Sequence, residues 1–193
     1  MNLSLLILIP ILTLIGILFV DGKMARVVAL GGAILQLALS VFLLFAYMSL
    51  TDKSVLAFEE THVWFAQWNI NYHIGIDGIS MAMILLTSVV LVAGVLVSWN
   101  IENKPKEFFF LLVMLASGAF GFFISIDLFT QFFFFELSVI PKYLLIANWG
   151  SGRKEYSAMK LSLMLMGGSA LVLIGILVLY YYSVLAGSPT FDM

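Results

Sequence analysis

Six long apolar runs, separated by short polar segments, make up most of this 193-residue chain. A helix of about 20 apolar residues spans the roughly 30 Å hydrocarbon core of a bilayer, and each run has about that length or more. The pattern therefore predicts an all-α membrane protein with six transmembrane helices. The predicted spans are Leu3–Val20, Val27–Leu50, Ile79–Trp99, Phe108–Ile126, Leu128–Ala147 and Ser157–Tyr182.

The fourth and fifth runs follow each other almost without a break. A single helix through both would be about 60 Å long at 1.5 Å per residue, about twice the thickness of the hydrocarbon core. The only polar break between them is Ser125-Ile126-Asp127. The sequence therefore predicts a tight helical hairpin there, with Asp127 in the turn rather than in a catalytic role.

Lysine and arginine predict the orientation of the spans. Basic residues are enriched in cytoplasmic loops. Seven of the nine fall on one predicted side, which is therefore expected to be cytoplasmic, with both termini outside; the seven are Lys23, Arg26, Lys104, Lys106, Arg153, Lys154 and Lys160. The first run lacks the basic segment and the cleavage site of a signal peptide, so we interpret it as a retained span.

The one sizeable loop, Thr51–Gly78, lies on the predicted outer side. Two stretches rich in β-forming residues flank Asn69–Asn71, which predicts a short β-hairpin that acts as a structural lid. Asp77 is expected to cap the third span. Further expectations place Trp64 and Trp68 over the helix ends, and His62 and His73 at the surface rather than on a metal, since no third ligand has suitable spacing.

Composition narrows the chemistry further. The chain is 63% hydrophobic and 10% charged, whereas soluble domains carry about 25% charged residues. It has no cysteine, which excludes disulfides and Cys-ligated iron–sulfur clusters within it. The net charge of −2 predicts no nucleic-acid partner. We therefore expect a polytopic subunit in the lipid bilayer that holds no cofactor or metal of its own.

Glu136 is the main candidate for chemistry, because it lies near the middle of the fifth run. An ionisable group at that depth costs about 2.5–3.5 kcal/mol on insertion scales, and such residues usually handle protons or ions. The alternative is a protonated glutamic acid that only hydrogen-bonds another helix. Pro141 lies five residues later and lacks an N–H, so the carbonyl of Leu137 loses its helical partner beside Glu136.

Two lysines and a small-residue segment are further candidates. Lys142 is interpreted as snorkelling to the cytoplasmic interface, with a direct part in a proton path as the alternative. Lys160 either extends a polar path inward or marks the interface. Gly168 and Ser169, with Gly167 and Gly175, are typical of a surface that lets helices pack closely.

The segment FFFFELSVIPKYLLIANWGSGRKEYSAMKL, followed by GGSALVLIGIL, resembles the antiporter-like membrane subunits of respiratory complex I, closest to the chain M or mitochondrial subunit 4 type. The resemblance implies a non-redox, proton-translocating subunit of NADH:quinone oxidoreductase. Glu136 would be its proton relay, paired with a lysine that this chain lacks. FMN, iron–sulfur clusters and quinone would belong to partner subunits. Other membrane-arm subunits, including neighbouring antiporter-like ones, would be its partners.

Members of that family are considerably longer, so the chain is interpreted as an N-terminal part forming one membrane domain, 1–193. Residues 1–107 would hold three helices and the outer loop, and 108–193 the first half of a truncated antiporter-like repeat. The bacterial cytoplasmic membrane is favoured over the mitochondrial inner membrane. The alternatives are a subunit of an Mrp-type sodium/proton antiporter or membrane-bound hydrogenase, and a structural subunit that transports nothing.

Overall fold

The computed structural model describes residues 3–49, 56–65, 70–185 and 191. Six α-helices and one two-stranded antiparallel sheet appear in this part of the chain. In chain order the elements are α1 (Leu5–Leu18), α2 (Gly22–Met48), β1 (Ala57–Phe65), β2 (Ile70–Ile76), α3 (Gly78–Val97), α4 (Pro105–Ile124), α5 (Leu128–Trp149) and α6 (Lys154–Leu185).

Five of the helices, α2 to α6, are long and apolar enough to cross a membrane. The first, α1, has 14 residues. At 1.5 Å per residue it extends about 21 Å, which is less than the roughly 30 Å hydrocarbon core. The prediction of an α-helical membrane protein is therefore confirmed, with five candidate spans. The sixth crossing and the side on which the termini lie stay predictions.

Helix α4 lies at the centre of the bundle, where it packs against α1, α2, α3 and α5. Its Phe109 and Phe120 side chains are fully buried. Glycines let α5 approach closely, because a Cβ at Gly121 would collide with the Phe134 ring and one at Gly118 would lie 3.0 Å from Ser138 Cβ. Helix α6 packs mainly on α5 and so forms the edge of the described bundle.

A buried polar network joins α1, α2 and α3. Pro10 lies inside α1 and has no N–H for the carbonyl of Leu6, one turn earlier. The Gln36 side chain, 1% exposed, donates to that carbonyl instead, at 3.1 Å. One turn further along α2, the Ser40 hydroxyl lies 2.6 Å from that of Ser88 on α3. The sequence analysis missed this network, although glutamine in an apolar run and a proline in the neighbouring run are its visible signs.

The predicted turn between the fourth and fifth spans is confirmed. Helix α4 ends at Ile124 and α5 begins at Leu128. Asp127 is fully buried and its carboxylate accepts the Thr130 backbone N–H at 2.8 Å, which caps α5. The expected capping of α3 by Asp77 is also confirmed, since it accepts the Ser80 N–H at 2.6 Å. That hydrogen bond holds the pKa of the Asp77 carboxyl below its usual value.

The predicted β-hairpin is present, with its first strand longer than expected because it begins at Ala57. The surface position expected for His73 is wrong. Its side chain is buried, and its Nε2 lies 2.6 Å from Glu59 Oε1 on β1. The pleat that points His73 away from solvent depends on strand register, which composition does not reveal. The expectations for the side chains of His62, Trp64 and Trp68 lie outside the described part.

The three connections expected on the cytoplasmic side meet at one end of the bundle. Lys106 Nζ donates to the carbonyl of Leu18 at the end of α1, at 2.8 Å. Arg26 donates to the Ile101 carbonyl at 3.2 Å, and Trp149 Nε1 to the Asn103 carbonyl at 2.8 Å. The hairpin and the α4–α5 turn lie at the other end. The compartment that each end faces stays a prediction.

Candidate functional site

Glu136 lies on a side of α5 that α4 does not cover. Phe134, Ser138 and Pro141, which recur at helical spacing, form the side that meets α4. Of the residues three and four positions away from Glu136, Phe133 is 44% and Ile140 58% exposed, whereas Val139 is buried at 5%. Glu136 itself is partly buried, beside the groove between α5 and α6.

That groove has a volume of about 310 Å³ and is lined by α5 and α6. Its lining is almost wholly apolar and consists of Val139, Ile140, Tyr143, Met159, Ser162, Leu163 and Met166. Neither Lys142 nor Lys160 contributes to it. The described part of α6 therefore offers no cation along this groove for the Glu136 carboxylate.

Within the described ranges, Glu136 makes no ion pair and no side-chain hydrogen bond. This bears on the alternative in which Glu136 only links helices, since such a link needs a polar partner on another helix. Neither α4 nor α6 supplies that partner.

Pro141 is buried, five residues after Glu136, inside a helix that continues through it. Since proline has no N–H, the Leu137 carbonyl loses the bond from the residue four positions later. Among the described residues, no side chain donates to this carbonyl. An open carbonyl thus lies next to Glu136 in the chain, in a helix at the edge of the bundle.

Lys142 does not extend toward the nearer helix end, as the snorkelling interpretation requires. Its ammonium donates to the Ser138 hydroxyl at 3.3 Å and lies 5.7 Å from the centre of the Phe135 ring. The physical reason is that Cα–Cβ bonds of an α-helix tilt toward its N-terminus, so a long side chain covers the preceding turn. The ammonium therefore lies closer to the level of Glu136 than the sequence predicted. Its part in a proton path stays a prediction.

The remaining candidates lie on α6 and are not brought to Glu136. Lys160 is exposed and lines a shallow, mostly apolar depression with Tyr156 and Met164. Ser169 is buried and donates to the Met166 carbonyl at 3.0 Å. The predicted close packing around Gly168 is not observed. A Cβ added at Gly168, Gly167 or Gly175 would have no packing neighbour within 4 Å. These glycines are open because α6 packs mainly on α5 in the described part of the chain.

The described residues contain no cluster of three or more His, Asp or Glu side chains able to hold a metal ion. The polar groups that follow Glu136 along α5 are the Leu137 carbonyl, the Ser138 hydroxyl on the side that meets α4, and the Lys142 ammonium bonded to that hydroxyl. Together they offer a titratable acid, an open acceptor and a cationic donor within two turns of one helix. Such groups can hold and pass protons.

Comparison with protein families places residues 125–190 in one described as "NADH:quinone oxidoreductase/Mrp antiporter, TM". This stretch contains the α4–α5 turn, α5 and α6. The chain is 37% identical over 172 residues to chloroplastic NAD(P)H-quinone oxidoreductase chain 4 of Angiopteris evecta. It is 31% identical over 194 residues to chain 4 2 of that oxidoreductase from Trichodesmium erythraeum. These matches cover 89% and 99% of this chain, and 34% of each relative.

Solved structures share the fold. A chain of respiratory complex I from Thermus thermophilus superposes with a TM-score of 0.82 at 23% identity, over 99% of this chain and 38% of that one. A chain of the Mrp complex from Dietzia sp. superposes with a TM-score of 0.76 at 15% identity, over 98% of this chain and 20% of that one. Both likenesses concern the fold and leave the function of this chain open.

The family match, the relatives and the fold together show a multi-span membrane protein similar to antiporter-like subunits. The resemblance inferred from the glutamate and proline segment is thereby confirmed. The chain is a relative of the chain 4 subunits of NAD(P)H-quinone oxidoreductase. It spans about a third of the length of the relatives it matches.

Proposed function

We propose that this chain is part of a proton-translocating, non-redox subunit of a membrane-bound NAD(P)H:quinone oxidoreductase, and that Glu136 relays the proton. The observation that carries the proposal is the arrangement on α5. A partly buried carboxylate without a partner among the described residues adjoins a carbonyl that Pro141 leaves open. A permanently structural glutamate would be expected to have a fixed hydrogen-bond partner in hydrocarbon.

In this proposal the carboxyl of Glu136 takes up a proton from one side and releases it to the other. The Leu137 carbonyl accepts a hydrogen bond from water beside the carboxyl, which holds that water in line. The Lys142 ammonium is held by the Ser138 hydroxyl on the same helix, as a cationic donor about one turn and a half further along the chain from Glu136. A charge that approaches the exposed side of α5 would change the balance between the two states of Glu136.

The partners follow from the same proposal. Other membrane-arm subunits, including further antiporter-like ones, would cover the exposed side of α5 and α6. NAD(P)H oxidation and quinone reduction would take place in subunits that carry FMN and iron–sulfur clusters. Relatives come from chloroplasts and cyanobacteria, so a bacterial energy-conserving membrane is the location we propose.

Replacing Glu136 by glutamine tests the proton role. The amide keeps the shape and can hydrogen-bond, but it cannot carry a proton on and off. We expect Glu136→Gln in the assembled complex to lower substrate-driven proton pumping by about tenfold or more, equal to roughly 1.4 kcal/mol or more in the barrier. Pumping is measured by pH-dye quenching in proteoliposomes. The matched control is Glu155→Gln, which changes an exposed glutamate in the first turn of α6.

Normal pumping by an assembled Glu136→Gln complex would exclude the relay role and favour a structural subunit. Loss of assembly is checked separately by native gel electrophoresis. Glu136→Asp provides a second variant, because it keeps the carboxyl and is expected to retain more pumping than the glutamine variant.

The second candidate is a subunit of an Mrp-type sodium/proton antiporter or a membrane-bound hydrogenase. The observation that favours it is the shared fold with the Mrp complex and the family description, which covers both kinds of complex. The partner set distinguishes the candidates. Copurification with subunits that oxidise NAD(P)H supports our proposal, whereas copurification with antiporter subunits alone, together with sodium-dependent proton exchange, supports the second.

A further inference from the structure

Strand β2 is bonded directly to the turn that begins α5. The backbone N–H of Ile126 donates to the His73 carbonyl at 3.0 Å, and Ile74 pairs with Ser125 in an isolated antiparallel bridge. Ile74 is fully buried, and Ser125 and Ile126 are also buried. The α4–α5 turn therefore continues the edge of the sheet over two residues, which fixes it along the direction of the strand.

Gly75 makes this contact possible. A Cβ at this position would lie 2.5 Å from Ile126 Cδ1, closer than carbon atoms can approach, and 3.6 Å from Ile126 Cγ1. Its φ is not in the left-handed region, so the constraint is the space beside Ile126 rather than the backbone conformation. A side chain at Gly75 would therefore require the end of the buried Ile126 side chain to move, which couples the spacing between turn and sheet to these two residues.

The hairpin is itself held to the bundle. The carboxylate of Glu60 on β1 accepts the Leu3 backbone N–H at 2.9 Å and the Ser4 hydroxyl at 3.2 Å, at the start of α1. Across the two strands, Glu59 contacts His73 at 2.6 Å. These bonds make the hairpin a fixed reference for the turn rather than a free loop.

Helix α5 begins two residues after Ile126, and Glu136 follows Asp127 by about 14 Å along the axis at 1.5 Å per residue. Because a helix transmits a displacement of its first turn along its length, the position of the turn determines the depth of Glu136. The geometry points to Gly75 and Ile126 as a pair of positioning residues that set where α5, and with it Glu136, lies in the membrane. The effect on transport rests on the function proposed above.

A compensation experiment tests the pair in the assembled complex. Gly75→Ala introduces the Cβ that meets Ile126 Cδ1, and Ile126→Val removes that atom alone. We expect Gly75→Ala to displace the α4–α5 turn from β2 in a cryo-EM map, to lower pumping severalfold and to alter its pH profile. The combined variant should restore both the position and the profile. Gly31→Ala, at a glycine with open space around it, is the matched control.

A turn that stays in place in both Gly75→Ala and the bulkier Gly75→Val overturns the inference, as does a combined variant that remains impaired. The cryo-EM map tests the positioning pair and pumping by Glu136→Gln tests the proton role, so each proposal can be rejected without the other. A displaced turn that Ile126→Val restores, together with normal pumping in Glu136→Gln, supports the positioning pair and rejects the proton role. A turn that stays in place, together with lost pumping in Glu136→Gln, does the reverse.

Discussion

Two of the described helices contain a proline in their interior, and the carbonyl that each proline frees has a different environment. In α1, Pro10 frees the Leu6 carbonyl, which accepts a hydrogen bond from the buried Gln36 at 3.1 Å. In α5, Pro141 frees the Leu137 carbonyl, and no side chain of the described residues donates to it. The first site is closed by a neighbouring helix, whereas the second is open beside a carboxylic acid.

The difference follows from where the two helices pack. Helix α1 contacts both α2 and α4, so a residue of α2 can reach its interior side. Helix α5 contacts α4 on one side and α6 on another, which leaves the side of Phe133 and Ile140 exposed. Irregular backbone at membrane depth is tolerated where it is buried in protein or lines a water-filled cavity. The carbonyl at the Pro10 site therefore has a structural role in joining α1 to α2. The open carbonyl at the Pro141 site supports the proposed proton relay.

The largest effect is expected from Pro141→Ala. Alanine restores the N–H that the Leu137 carbonyl lacks, so water beside Glu136 loses its acceptor while the helix gains a bond. We expect pumping by the assembled complex to fall about tenfold, roughly 1.4 kcal/mol in the barrier, with no loss of thermal stability. Pro10→Ala is the matched control and should pump normally. Equal pumping by both variants would remove the distinction between the two prolines.

A smaller effect, on stability rather than transport, is expected from Gln36→Leu. The change leaves the Leu6 carbonyl without a donor and should lower the free energy of unfolding by about 1 kcal/mol, within the range for hydrogen bonds inside membranes. The measurement is SDS-titrated unfolding of the full-length protein in detergent. In a Pro10→Ala background the carbonyl has a backbone donor, so the same change should cost much less. Identical costs in both backgrounds would show that Gln36 does not serve the Leu6 carbonyl.

The smallest effect is expected from Lys142→Met, which keeps the length of the side chain and removes its charge. Pumping should fall by about threefold, roughly 0.6 kcal/mol in the barrier, because the change removes the cationic donor that Ser138 holds on the helix of Glu136. Lys154→Met, at a lysine that contacts the Asn148 carbonyl near the helix end, is the control. Unchanged pumping in Lys142→Met would restrict Lys142 to packing on Phe135.

Much of the architecture could be predicted from local signals. Asp127 caps a helix because it follows a polar break and precedes an apolar run, and Asp77 does so for the same reason. The short hairpin was visible as two β-forming stretches around a polar turn. Five of the six predicted spans appear as helices of sufficient length. In each case neighbouring residues along the chain carry the information.

The candidate site was predictable in part. The depth of Glu136 and its proximity to Pro141 follow from counting residues, but the direction of the Lys142 side chain does not. Its ammonium contacts Ser138 rather than the helix end, because helical Cα–Cβ bonds tilt toward the N-terminus and place the side chain over the preceding turn. The open surroundings of Gly168 were also not predictable, since they depend on how many helices flank α6.

The sequence by itself determined which segments are long and apolar enough to cross a membrane, where α4 and α5 separate, and that a carboxylic acid lies in the middle of one apolar helix, five residues before a proline. These properties follow from hydropathy, charge and the missing N–H of proline, all of which are local. The tertiary structure decided that Gln36 meets Leu6, that His73 is buried, and that β2 is bonded to the turn before α5. These contacts join residues far apart in the chain, so they depend on strand register and helix packing, which no local pattern contains.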